Sequence, residues 1–242
     1  MAASDPYARI AEIYDAEFDG ATADIAGYAR RGAPGSLLVL GCGTGRVCRG
    51  LEGLREVVGL DRSPDMIRRA RAHPRAGSTT YVLGDMTDFD LGHFGEVIIP
   101  NAGFAFLPDR RAQLACLEAV ARALPSGAPL TLDLLFPDRH LLGEAHTPER
   151  LAWEGRVGEH VVRRTREVHR DLAAQRLRLL DRFWEGDTLL ATSELVLAWI
   201  FPREAEWMLE AGGFWLDAAW GDHVEGPLHS DADRLLLRAI RT

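Results

Sequence analysis

Three glycines at alternate positions, Gly41, Gly43 and Gly45, follow a short apolar run, with Cys42 between the first two. Glycine lets backbone approach a ligand closely and adopt positive φ. A helix opening behind such a loop offers free N–H groups, which suit a small anion such as a carboxylate. The pattern G-x-G-x-G is one residue tighter than the dinucleotide fingerprint G-x-G-x-x-G. Asp61 lies 20 residues beyond Gly41, about the ~20 expected of an acid that accepts hydrogen bonds from ribose hydroxyls. Asp85 and Met86 place a carboxylate beside an apolar side chain. Such a pair can accept from an exocyclic amine and cover an aromatic base.

These residues need elements to hold them. Leu37 to Leu40 is short, without a polar face, and bounded by turn residues, so it reads as a buried strand of a parallel sheet. Thr44 is placed to cap a helix through Arg46, Val47 and Leu51. A second strand, Glu56 to Leu60, ends at Asp61, and a third, Thr80 to Leu83, ends before Asp85. Between them Ser63 is an N-cap with Pro64 at the first helical position, and Met66, Ile67 and Ala70 follow on one side of that helix. The fourth strand, Glu96 to Ile99, ends at Pro100-Asn101, where ligands of parallel sheets sit. An apolar stripe predicts a helix over 109–124, and Leu130 to Phe136 a fifth strand. Asp133 interrupts that apolar run, and a buried acid needs partners.

The segments VLGCGTGR, GLDRSPDMIRRAR, GDM and FGEVIIPNAGFAFL cover most of residues 37–135. Their order at strand ends resembles class I S-adenosylmethionine-dependent methyltransferases. The resemblance implies an α/β, Rossmann-like fold: a mostly parallel seven-stranded sheet with an antiparallel last strand, helices on both faces and a small antiparallel β insert. It implies S-adenosyl-L-methionine as cofactor, with S-adenosyl-L-homocysteine as product. The cofactor residues it implies are Tyr14, Gly41, Cys42, Gly43, Gly45, Asp61, Arg62, Met66, Asp85, Met86 and Asn101. Val39 departs from the family, since many members carry Asp or Glu two residues before the first motif glycine. That bears on how the methionine amino group is held.

Several of these residues have a second reading. YARIAEIYD resembles the N-terminal lid of small-molecule members, with Tyr14 over the cofactor; a core-packing tyrosine fits the same pattern. Arg62 either flanks the adenosine or is solvated. Met66 packs by the adenine in the family, and simple helix–sheet packing is compatible with that. Asn101 either hydrogen-bonds cofactor or substrate or shapes a turn.

Four regions are expected: a helical lid over 1–34, the cofactor-binding core over 35–136, a β-meander insert over 137–200, and a C-terminal helix with the last two strands over 201–242. Residues 137–158 are polar and punctuated by Pro and Gly. Three alternating runs follow, Val161 to His169, Leu177 to Phe183 and Leu189 to Trp199, and predict the meander. In the family such an insert roofs the substrate pocket. Arg163, Arg164, Arg166, Arg170, Arg176, Arg178 and Arg182 form a basic run here, readable as an anion site or as the wet face of a half-buried sheet. The loop from Gly221 to Ser230 is expected near the roof.

The chain of 242 residues carries a formal charge of −8, and all 28 of its basic residues are arginine. That balance argues against a broad nucleic-acid footprint. Three cysteines, Cys42, Cys48 and Cys116, give no disulfide framework. No apolar run reaches the ~18–20 residues of a membrane span. The N-terminus does not read as a signal peptide, so a cytoplasmic location is expected. The eight histidines show no H-x-x-x-H spacing, so no metal is expected. His169 and His223 are the histidines expected nearest the pocket, and no catalytic residue stands out. The expected function is methyl transfer to a nitrogen or oxygen of a small molecule by in-line displacement. An RNA or protein methyltransferase, and a non-catalytic cofactor-binding protein, are the competing readings. Nothing in the sequence indicates an oligomeric state.

Overall fold

Strands Leu37–Leu40 (β1), Val57–Asp61 (β2), Thr80–Leu83 (β3), Glu96–Ile99 (β4) and Pro129–Leu135 (β5) pair in parallel. The computed structural model describes residues 5, 7, 10–18, 20–73 and 77–242. The first four residues and Pro6, Ala8, Arg9 and Asp19 of the expected lid lie outside the described residues.

Every residue of β1 and β4 is buried, as expected of apolar runs covered on both faces. Leu37 and Val39 point to one face, where they meet Val47, Leu51 and Ile67. Leu38 and Leu40 point to the other, against Leu117, Val120 and Leu132. Helices Ala23–Arg31 (α2), Arg46–Leu51 (α3) and Pro64–Ala72 (α4) supply the first layer; Arg110–Ala123 (α5) and Pro202–Ala211 (α6) supply the second. The N-terminal helix Ala11–Phe18 (α1) packs against α4 and the insert.

Local signals set the helix starts. The Ser63 hydroxyl accepts from the Met66 amide, with Pro64 opening α4, and Asp109 accepts from Ala112 at the start of α5. Thr44 does not cap α3. That position falls to Gly45, at φ 83°, while Thr44 is buried with no partner for its hydroxyl. The tight turn consumes Thr44, and only glycine takes the left-handed position without strain.

Phe214–Trp220 (β10) and Arg234–Arg241 (β11) complete the sheet, in the order β10-β11-β5-β4-β1-β2-β3. β11 pairs antiparallel with both β5 and β10, so it alone runs against the rest.

The insert is a four-stranded antiparallel sheet, one strand more than the alternation predicts: His146–Val157 (β6), His160–Asp171 (β7), Arg176–Glu185 (β8) and Thr188–Ala198 (β9). β6 is the strand the sequence hides. It lies at an edge, is mostly exposed, and carries bulges and Pro148. Edge strands are kept polar and irregular, which erases the period-two pattern. Val168, Leu177, Leu179, Leu197 and Trp199 of the insert pack onto Ala102 and Ala105 beyond the tip of β4. Val162 and Phe183 pack onto Ile10 and Ile13 at α1.

Candidate functional site

The site begins at the carboxyl ends of the parallel strands. Gly41, Gly43 and Gly45 all lie in the left-handed region. Asp61, the last residue of β2, accepts from the Gly43 amide at 2.8 Å through Oδ2 and from the Ser63 amide at 2.8 Å through Oδ1. Burial raises its pKa, against the two amides, which lower it. Asp85 is exposed beyond β3 and accepts from the Thr87 amide and hydroxyl, both at 2.8 Å.

β4 ends in a strained turn: Asn101 has φ 48° and Ala102 φ 57°. Left-handed backbone costs a non-glycine residue about 1–2 kcal/mol, so something must hold it. Asp133 does. This fully buried acid on β5 accepts from the Asn101 amide at 3.0 Å and the Tyr28 hydroxyl at 2.7 Å, both through Oδ2. Its Oδ1 accepts from Arg234 Nε at 2.8 Å, and its backbone carbonyl accepts from the Ala102 amide at 2.9 Å. Burial, reinforced by Asp133, holds the Tyr28 phenol well above its ordinary pKa.

Two cavities open here. The lower, of about 230 Å³, runs past Gly41, Gly43, Asp61, Met66, Asp85 and Met86. The upper, of about 350 Å³, lies under the insert, among Glu17, Arg164, Arg166, Asp181 and Leu195. Tyr7, Tyr14, Asn101 and Phe106 line both. At this junction Asn101 Nδ2 donates to the Tyr14 hydroxyl at 3.1 Å. Burial raises the Tyr14 phenol, more than the Asn101 bond lowers it.

Of the residues singled out from sequence, Tyr14, Gly41, Gly43, Asp61, Arg62, Met66, Asp85, Met86 and Asn101 line the lower cavity. Cys42 and Gly45 do not. The Cys42 side chain turns into the core, where it and Cys48 close around Gly59. Gly45 backs onto the Tyr81 ring.

The arginine run divides by strand face. Arg164, Arg166 and Arg170 reach the upper cavity. Arg166 forms a bidentate pair with buried Asp181, at 2.6 Å for each bond, and Arg164 pairs with Glu17 at 2.8 Å. Arg178 and Arg182 lie on the opposite face, paired with Glu194 and Glu149.

A family model described as a methyltransferase domain matches residues 37–127. That stretch, β1 to just past the end of α5, is similar to such a domain. Solved structures extend the likeness to nearly the whole fold. The CcbJ methyltransferase from Streptomyces caelestis is 21% identical, with TM-score 0.79, over 91% of this chain and 94% of that one. CalS10, a SAM-bound amino pentose methyltransferase from Micromonospora echinaspora, is 24% identical, with TM-score 0.70, over 94% and 91%. The sugar N-methyltransferase KedS8 from Streptoalloteichus sp ATCC 53650 is 23% identical, with TM-score 0.71, over 95% and 90%. At such identities the likeness establishes the class I methyltransferase fold. No curated protein sequence matches the chain.

Sequence reasoning missed Phe106 and Tyr7 at the cavity junction. Phe106 ends a 3₁₀ turn, Gly103–Phe106, directly after the strained turn; the aromatic pair in GFAF was its only signal. Neither His169 nor His223 lines either cavity. His169 faces outward from the insert, and His223 stands edge-on to Tyr28 at 5.5 Å, behind Asp133. The loop that carries His223 packs on α2 rather than the roof, its carbonyl accepting from Arg30.

Proposed function

We infer that the enzyme moves a methyl group from S-adenosylmethionine to an amine nitrogen of a small polar molecule. One observation carries this reading: the two cavities meet at Tyr14 and Asn101, beyond the tip of β4. The lower cavity suits the donor. Asp61 is a half-buried carboxylate with lone pairs left for ribose hydroxyls, and a Cβ at Gly43 would enter open space. Met66 and Met86 give a base two apolar neighbours, with Asp85 at the rim. When bound, S-adenosylmethionine supplies both the electrophile and the leaving group.

The chain's part is alignment and exclusion of water. Tyr7, Tyr14 and Phe106 line the junction; they would exclude water between donor and acceptor, and proximity would supply much of the rate. Among the described residues, the four side chains shared by the two cavities are Tyr7, Tyr14, Asn101 and Phe106, none of them a carboxylate or an imidazole. This favours an amine, which attacks in its neutral form, over a hydroxyl, which needs a base. Glu17 and Asp181, each paired with an arginine, offer acceptors to polar groups elsewhere on the molecule. The net charge of −8 supports a small acceptor over RNA. Among the described residues no helix is long and apolar enough to cross a membrane. Three free buried thiols suit a reducing cytoplasm.

Calorimetry with S-adenosylmethionine, followed by S-adenosylhomocysteine release across matched panels of small amines and alcohols, tests the proposal. Release with amines is the expected result. Tight donor binding with no release across the panel, or release with alcohols alone, would overturn it.

A further inference from the structure

The outer face of the insert carries a cluster that methyl transfer does not use. His146 on β6 stands directly opposite His169 on β7 in the strand register. Glu167 lies two residues before His169, and therefore on the same face. Both imidazoles converge on one carboxylate oxygen: His146 Nε2 is 3.0 Å and His169 Nε2 2.9 Å from Glu167 Oε1. The two rings stack at 4.7 Å between centroids.

We propose that His146, Glu167 and His169 form a binding site for a zinc-class divalent cation, fastening β6 to β7. Two imidazole nitrogens and a carboxylate oxygen form a three-ligand set typical of Zn²⁺, with water completing the tetrahedron. Ligand distances of about 2.0–2.1 Å place tetrahedral donors about 3.3 Å apart, so each His–Glu pair opens by a few tenths of an ångström to admit an ion, and the three ligand atoms already lie within 4.8 Å of one another. The mixed nitrogen and oxygen donors favour zinc, cobalt or nickel over calcium or magnesium. The side chains are 50%, 23% and 40% exposed, so the ion has an open approach. Arg182 lies 3.9 Å from the other oxygen, Oε2, and is also paired with Glu149, so Oε1 remains the ligand atom. The sequence expectation of no metal rested on spacing along the chain; these ligands meet across a strand pair.

The site secures more than two strands. Arg170, one residue beyond His169, donates to the carbonyls of Leu141 and Glu144 and to the Thr147 hydroxyl. Leu141 lines the upper cavity. An ion joining His146 to His169 therefore steadies the chain entering β6, which forms part of the acceptor wall.

The test is titration of untagged, chelator-treated full-length protein with Co²⁺, followed by the visible d–d spectrum, and with Zn²⁺ by calorimetry. One equivalent of Co²⁺ with a tetrahedral spectrum is expected. His146→Gln, His169→Gln and Glu167→Gln should each weaken binding by about 100-fold or more, since even outer-shell partners are worth about 10–100-fold. S-adenosylmethionine affinity, measured on the same samples, should be unchanged in all three variants and reports that they are folded. Absence of stoichiometric binding to the parent chain, or unaltered affinity in folded variants, would overturn the proposal.

Discussion

The Gly43 amide and Asp61 Oδ2 lie 2.8 Å apart, so the loop after β1 and the acid at the tip of β2 are joined by one hydrogen bond. Asp61→Ala removes a proposed ribose acceptor and the anchor of the loop together. A hydrogen bond to a charged group contributes about 1.5–3 kcal/mol. Donor affinity in calorimetry should fall by about 10- to 100-fold, while Ser63 and Met66 keep α4 in place.

Gly43 and Gly45 share a backbone conformation but face different surroundings. A Cβ at Gly43 meets nothing within 4 Å, whereas one at Gly45 would collide with the Tyr81 ring and hydroxyl. Gly43→Val should abolish measurable donor binding with a stability loss of about 1–2 kcal/mol from the left-handed backbone. Gly45→Ala should cost more, and should show first as a lowered melting temperature.

Asp133→Ala strips three partners at once and leaves Arg234 largely buried without its carboxylate. Breaking a buried pair from one side costs about 3–5 kcal/mol. Denaturant unfolding should show a loss of that size. The Asn101–Ala102 turn should relax, and methyl transfer should fall more steeply than donor affinity.

His223 should mark the acid limb of the stability curve. Burial lowers its pKa from the ordinary 6.5, outweighing the attraction of Asp133. The folded chain therefore binds this proton less readily than the unfolded chain. Its contribution is fully present above about pH 6.5 and is lost as pH falls through the lower folded value. Melting temperatures of His223→Gln between pH 7 and 5 should decline less steeply than those of the parent.

Leu195 lines the upper cavity alone. Leu195→Phe should narrow that space, raising the acceptor KM by about 10-fold, equivalent to 1.4 kcal/mol. The donor dissociation constant should stay within about 2-fold. A parallel rise in both would contradict the division between the cavities.

Local signals were legible from sequence. Ser63 and Pro64 announce α4, the run before Gly41 announces β1, and Asp61 falls where β2 ends, because each depends on neighbours a few residues away. Contacts across long chain distances were not. Asp133 reads only as an acid in need of partners, since Tyr28 and Arg234 lie 105 and 101 residues from it. β6 escaped because an exposed edge strand need not alternate, and Gly45 displaced Thr44 as helix cap because the tight turn uses Thr44. The arginine run reads from sequence either as an anion site or as one wet face; the strand pleat sends Arg164 and Arg166 inward, where Glu17 and Asp181 neutralise them.

Among the described residues, none between 137 and 200 lines the lower cavity, and only Tyr7, Tyr14, Asn101 and Phe106 belong to both. Heredity can therefore act on the two halves separately. A lineage can drift toward new acceptors by altering the four strands of the insert while the socket beneath passes down unchanged.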